Sequence, residues 1–246
     1  MLLTFFLTSL ALSRIGRRRK RALEDIGKGG PRDAVQVLAN GGIATCCALV
    51  YGYGGDVRWL AAFVGAYAAA TADTWATEIG TLVRARPRSI LTLRPVATGL
   101  SGGVTLAGTL ASAAGAVCIA FAYLWFGAFA VANGHIPMPA WCWHGPCEIR
   151  GAAGFVVFVI GAGALAPFVL AGLGGSLADS LLGATAQELR RCEACGRLCE
   201  TDPHACGAPT VLVRGVRGFS NDAVNLAATA AGALIAALTY WPLAAL

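Results

Sequence analysis

Long apolar runs alternate along this chain with short polar stretches that carry arginine. Five runs, 34–53, 58–83, 103–132, 151–173 and 221–243, reach the roughly 20 residues a helix needs to cross a hydrocarbon core. Residues 1–13 (MLLTFFLTSLALS) are apolar but short. A basic cluster follows this segment instead of preceding it, and no small-residue cleavage site appears. It therefore reads as the second half of a membrane helix that starts further upstream, not as a signal peptide. Residues 174–189 (GGSLADSLLGATAQEL) continue the run 151–173 as a shorter, more polar helix, either re-entrant or a cytoplasmic extension. The pattern predicts an all-α, polytopic membrane bundle forming one domain over 1–246. It has about five full spans, a partial N-terminal helix and a short polar helix.

Composition agrees. The chain is 57% hydrophobic and 13% charged, too apolar for a soluble domain, and its 32 glycines suit close helix packing. The net charge of +6 does not point to nucleic acid, because no recognition motif accompanies the basic runs. Its distribution is more informative. Of 19 Lys and Arg, eight lie in 14–33, four in 84–94 and five in 190–217, leaving only Arg58 and Arg150. If each long run crosses once, the three basic loops share one side, which the positive-inside rule makes cytoplasmic. The expected location is the cell membrane, with the loop 133–150 and the C-terminus facing outward.

Polar residues gather at the cytoplasmic ends of the spans. TADTWATEIG (71–80) carries Asp73 and Glu78. Five residues apart, they lie about 140° around a regular helix, so they cannot hold one ion from a straight helix. Either the helix breaks there or the two acids have different roles, Asp73 beside Thr77 and Glu78 beside a loop arginine. GLGGSLADSLLGATAQ (172–187) puts Ser176, Asp179 and Gln187 on a glycine-lined stripe, and its ADS echoes ADT at 72–74. A packing seam would explain the glycines but not the acid and amide. SGGVTLAGTLAS (101–112) sets Gly102, Gly103 and Thr105 at a helix N-terminus, where backbone N–H groups favour an anion. NDAVN (221–225) places Asn221, Asp222 and Asn225 at another N-terminus, more polar groups than one cap needs. Asn40 stands within an apolar run.

Carboxylates at span ends can hold Mg²⁺ and through it phosphates, and arginines such as Arg94 or Arg217 can neutralise phosphate oxygens. This combination suits phosphoryl or nucleotidyl transfer to a lipid headgroup, chemistry that rests on positioning and charge rather than on a side-chain nucleophile.

CEACGRLCETDPHACG (192–207) offers C-x-x-C followed by H-x-C, the spacing of a structural zinc knuckle, within the cytoplasmic loop 190–217. The expected ligands are Cys192, Cys195, His204 and Cys206, with Cys199 as the substitute for His204. Cys142 and Cys147 lie close together in the outward loop, where a disulfide can form.

RDAVQVLANGG, ADTWATEIG, SGGVTLAGTLAS, GSLADSLLGATAQ and NDAVNL, in this order, resemble the transmembrane protein 19 family, long catalogued as a domain of unknown function. The resemblance covers nearly the whole chain, and the family includes the plant phytyl-phosphate kinase. It implies a kinase that adds a second phosphate to an isoprenyl monophosphate with a nucleoside triphosphate, plausibly CTP, and Mg²⁺. Asn40, Asp73, Glu78, Thr105, Asp179 and Asp222 are its candidate site residues. Asp73 and Asp179 are expected to hold the metal and the triphosphate, while Asp222 and Asn225 complete the site. Two alternatives stand beside this: a transporter or flippase of an anionic lipid or small solute, and a CDP-lipid synthase.

Overall fold

The computed structural model describes residues 1–16, 33–132 and 165–244. The basic cluster at 17–32, the loop with Cys142 and Cys147, and the first part of the run 151–173 lie outside the described residues.

Among the described residues six helices follow one another: α1 (Leu2–Arg14), α2 (Ala34–Gly54), α3 (Val57–Gly80), α4 (Leu106–Ala132), α5 (Ala166–Thr185) and α6 (Asn221–Ala244). Asp33 caps α2 by accepting from the Gln36 amide at 2.9 Å, and Gly55, at φ +68°, ends it. Asp56 starts α3, accepting from the Arg58 amide and pairing with its guanidinium at 2.6 Å. With so short a turn, α2 and α3 must run antiparallel. Among the described residues four helices, α2, α4, α5 and α6, are long and apolar enough to cross a membrane. Their outward faces carry exposed leucines and aromatics, such as Leu49, Leu110, Trp125, Leu170 and Leu234.

α3 is long enough but less apolar, and its position explains why. It packs against each of the other five helices, and twelve of its residues, mostly alanine, are buried. A helix insulated by protein need not be apolar towards lipid. Its small side chains bring the neighbouring backbones close. A Cβ at Gly65 would stand 2.4 Å from Ala236 Cβ and 2.5 Å from the Gly232 oxygen. An aromatic cluster fills the half of the bundle away from the basic loops. Phe63 meets Tyr67 edge-on at 5.3 Å, Tyr123 meets Phe168 at 5.1 Å, and Phe168 meets Tyr240 at 5.5 Å.

Three expectations are corrected. Residues 174–189 are not a separate helix, because α5 runs unbroken through Gly174 and Gly175, whose missing side chains admit Ile235 and Ala69 instead of breaking the chain. The run 103–132 becomes helical only at Leu106, since Gly103–Val104 (β2) pairs antiparallel with Arg88–Ser89 (β1). The fold is also not purely helical. The Cys/His loop is a three-stranded antiparallel sheet of β3 (Leu189–Cys192), β4 (Leu198–Cys199) and β5 (Thr210–Arg214), in the order β4-β3-β5. Arg190 fastens this sheet. It is buried, ion-paired to Asp202 at 2.6 Å and to Glu188 at 3.1 Å, and donates to Thr210 Oγ1.

Candidate active site

α3 and α5 run in the same direction and meet along a seam of small residues. A Cβ on Gly175 would stand 2.3 Å from Ala69 Cβ. One turn further on lie Asp179 and Asp73, four residues beyond Gly175 and Ala69, so the same close approach recurs with carboxylates in place of small residues. The two acids make side-chain contact there. The seam and the acids are therefore one device, the glycines setting the distance across which the carboxylates meet. Asp179 Oδ1 is buried without a hydrogen-bond partner.

Above this pair opens a cavity of about 630 Å³. Its walls come from the N-terminal part of α2, from the parts of α3 to α6 towards the segments 81–105 and 186–220, and from those segments themselves, and no residue of the aromatic cluster lines it. At 1.5 Å per residue, Asp73 and Asp179 lie roughly 10 Å below the ends of their helices.

Of the residues singled out from sequence, Asn40, Asp73, Glu78, Gly102, Gly103, Thr105, Ser176, Asp179, Asn221 and Asn225 line the cavity. α3 does not break between Asp73 and Glu78; both face the cavity, at different heights. Four residues do not line it. Arg94 and Arg217 are exposed on their loops, because nearness in sequence to a motif does not bring a side chain over it. Asp222 sits in the first turn of α6, where a carboxylate suits the helix dipole, and leaves the lining to Asn221 and Asn225. Gln187 is buried behind the wall and donates from Nε2 to Glu200 at 2.7 Å.

The phosphate-cradle reading of 101–105 is also revised. Thr105 Oγ1 accepts from the Gly108 amide at 3.0 Å, which makes it the cap of α4. Gly102 has φ +81°, and a Cβ there would stand 2.5 Å from Ala184 Cβ and 2.7 Å from its Cα. Its glycine is required by a left-handed turn pressed against the end of α5. Gly102→Ala is expected to cost about 2–4 kcal/mol through backbone strain and overlap. Thermal unfolding in detergent measures this, and an unchanged midpoint would restore the cradle reading.

Sequence reasoning missed Glu200. It follows β4, enters the cavity wall from the Cys/His sheet, and accepts from Ser101 Oγ, from the Ser101 amide at 3.3 Å and from Gln187 Nε2. Burial pushes its carboxyl above the ordinary range, opposed by the Ser101 hydrogen bonds and the nearby Arg214 charge. Arg214, not Arg94 or Arg217, is the loop arginine that comes close; its Nη2 donates to the Gly183 carbonyl at 2.9 Å. The only hint in the sequence was an acid between metal-ligand residues, in CETDPH.

The lining thus holds Asp73, Glu78, Asp179 and Glu200 and, among the described residues, no lysine or arginine. A facing pair of half-buried carboxylates with a spare oxygen is a donor set for a hard divalent cation such as Mg²⁺. Without a cation, such a site repels anions.

At the Cys/His sheet, one donor atom from each of Cys192, Cys195, His204 and Cys206 lies within 4.8 Å of the others. Cys199 is outside the group; its thiol points to the Thr201 carbonyl at 3.5 Å.

The family model described as integral membrane protein DUF92 matches residues 1–233. Protein PGR of Arabidopsis thaliana is 33% identical over 245 residues, covering 92% of this chain and 75% of its own. Uncharacterized membrane protein MJ0933 of Methanocaldococcus jannaschii is 30% identical over 244 residues, covering 98% and 75%. Uncharacterized membrane protein sll0875 of Synechocystis sp. is 32% identical over 124 residues, covering 49% of this chain and 48% of its own. No solved structure matches. The chain belongs to the integral membrane protein DUF92 family, the family to which its ordered motifs point.

Proposed function

We propose that this protein is a membrane kinase that converts an isoprenyl monophosphate to the diphosphate at the expense of a nucleoside triphosphate, with CTP as the candidate. The observation that carries the reading is the Asp73–Asp179 pair at the floor of a polar cavity whose lining, among the described residues, holds no lysine or arginine. The motif resemblance supplies the substrate class. In this reading α3 is a fifth crossing, the cavity opens to the cytoplasm, and the membrane is the plasma membrane.

Asp73 and Asp179 would hold Mg²⁺, which supplies the positive charge that a triphosphate and a phosphate monoester need in order to approach each other. Asn40, Asn221 and Asn225 offer amides, and Ser176 a hydroxyl, to substrate oxygens. The isoprenyl tail would lie along the apolar helices. An oxygen of the prenyl phosphate forms a bond to the terminal phosphorus while the bond to the bridging oxygen breaks. Prenyl diphosphate and nucleoside diphosphate result. The attacking oxygen is already ionised near neutral pH, since the second pKa of a phosphate monoester is about 6, so no general base is needed. The protein's part is to position both substrates and exclude water.

The shape of the cavity favours an enzyme over a transporter. Carrier sites sit near the middle of the bilayer, whereas the acids and amides of this one lie towards one end of the helices. Purified protein should be incubated with prenyl monophosphates of several lengths, Mg²⁺ and each nucleoside triphosphate. Diphosphate product with matching nucleoside diphosphate is expected. Release of pyrophosphate with a nucleotide-linked lipid would instead identify a CDP-lipid synthase, and no product with any pair would return the transporter to first place.

A further inference from the structure

We propose that Cys192, Cys195, His204 and Cys206 hold a zinc ion, and that this ion is the clip that fixes Glu200 in the wall of the membrane cavity. The donor geometry comes first. Ligands of a tetrahedral zinc with three thiolates and one imidazole stand roughly 3.4–3.8 Å apart. Here Cys192 Sγ is 3.5 Å from Cys206 Sγ, and His204 Nδ1 is 3.6 Å from Cys195 Sγ and 3.0 Å from Cys206 Sγ. Three sulfurs and one nitrogen therefore converge on a common centre. A disulfide would employ two of the sulfurs and give the imidazole no reason to be there.

The second observation is that the sheet lacks a core of its own. Its strands span four, two and five residues, and Val211, Leu212 and Val213 are exposed. What is buried is mainly Leu189, Cys192, Cys199 and His204 with the polar Arg190 and Thr210. A unit this small needs a staple, and a metal bound by four side chains supplies one.

The third is where the staple acts. Glu200 lies between Cys195 and His204, so the ion closes the loop that carries it. β4 delivers it, pairing Cys199 with Arg190. Glu200 then crosses to a different part of the chain, accepting from Ser101 and from Gln187. No other acidic residue of the sheet lines the cavity. Four protein ligands leave zinc no open position, so its role is structural and independent of the phosphoryl-transfer reading.

Zinc content and hydrogen exchange of the full-length protein in detergent test both halves. One zinc per chain is expected, lost in the double variant Cys192→Ser/Cys206→Ser and kept in Cys46→Ser, whose thiol lies in α2. Chelating zinc from the unaltered protein should raise amide exchange tenfold or more over 189–214. It should do the same over 98–105, where the Ser101 amide donates to Glu200, and leave α3 and α6 unchanged. If the double variant does not accumulate, the chelated protein gives the same readout. Zinc far below one per chain after expression in zinc-supplemented medium would overturn the metal site. So would a disulfide joining two of Cys192, Cys195 and Cys206, located by peptide mapping. Exchange at 98–105 that ignores zinc removal would overturn the link to Glu200.

Discussion

Asp179→Asn is expected to lower phosphoryl transfer roughly a thousandfold and, in metal-free buffer, to leave the protein at least as stable as the unaltered chain. The two effects have one origin. Asp73 and Asp179 touch in a half-buried setting, and Asp179 keeps one buried oxygen without a partner. Two carboxylates so placed repel each other unless a proton or a cation lies with them. The pair is thus held at some cost to stability, and Asn removes that cost together with the cation site. Losing a metal ligand at a phosphoryl-transfer site forfeits several kcal/mol of transition-state stabilisation, and each 1.4 kcal/mol is tenfold in rate. Mg²⁺ should raise the unfolding temperature of the unaltered protein and not that of the variant. Asp73→Asn should behave alike, and the double variant should be little worse than either single one, because the acids act as a unit. Steady-state rates and thermal unfolding with and without Mg²⁺ decide the matter. A variant at full rate, or one that Mg²⁺ still stabilises, removes the pair from the mechanism.

The second large effect comes from a residue with no functional group. Gly175→Val should cost about 3 kcal/mol or more and lower activity about a hundredfold in whatever fraction still folds. Even the first carbon of a side chain there would stand 2.3 Å from Ala69 Cβ and 3.0 Å from the Ala228 carbonyl oxygen. Neither can retreat, since one is rooted in the central helix and the other is backbone, so α5 must move. Asp179 lies one turn away and moves with it, and an error of about 1 Å in a reacting geometry costs about a hundredfold. Gly42→Ala is the matched control, because nothing lies within 4 Å of a Cβ there. Unfolding midpoints and specific activities of the two variants test the contrast. A Gly175→Val protein as active as Gly42→Ala would show that the seam does not set the distance between the acids.

How much of this was legible follows from what periodicity can carry. Acids at 73 and 179 stand out against apolar runs, so their importance could be read directly. Their contact could not, because helical spacing relates residues within one helix and says nothing about which face meets which neighbour. The arginine distribution put the polar motifs at one end of the bundle, and the cavity is at that end. Arg94 and Arg217 were chosen for nearness along the chain and proved exposed, whereas Arg214 is drawn in by the Gly183 carbonyl. Gly102 resembled an anion cradle because close packing and phosphate binding both call for a missing side chain; the position of Ala184 distinguishes them here. The cysteine spacing revealed a ligand group, but strands of two to five residues leave too little alternation to announce a sheet. Glu200 was invisible for the same reason, having no periodic context at all.

The sheathing of α3 bears on how the protein is made. If α3 crosses the membrane, it is too polar to be comfortable among lipid tails, and three of the helices that enclose it, α4, α5 and α6, are synthesised after it. The nascent chain must therefore hold α3 at the insertion machinery, or shelter it against α2 across their short turn, until its later partners emerge. A chain cut short and released just after α3 would leave Asp73 and Glu78 without the helices that enclose them. Degradation of such truncated chains would then be governed by this one helix.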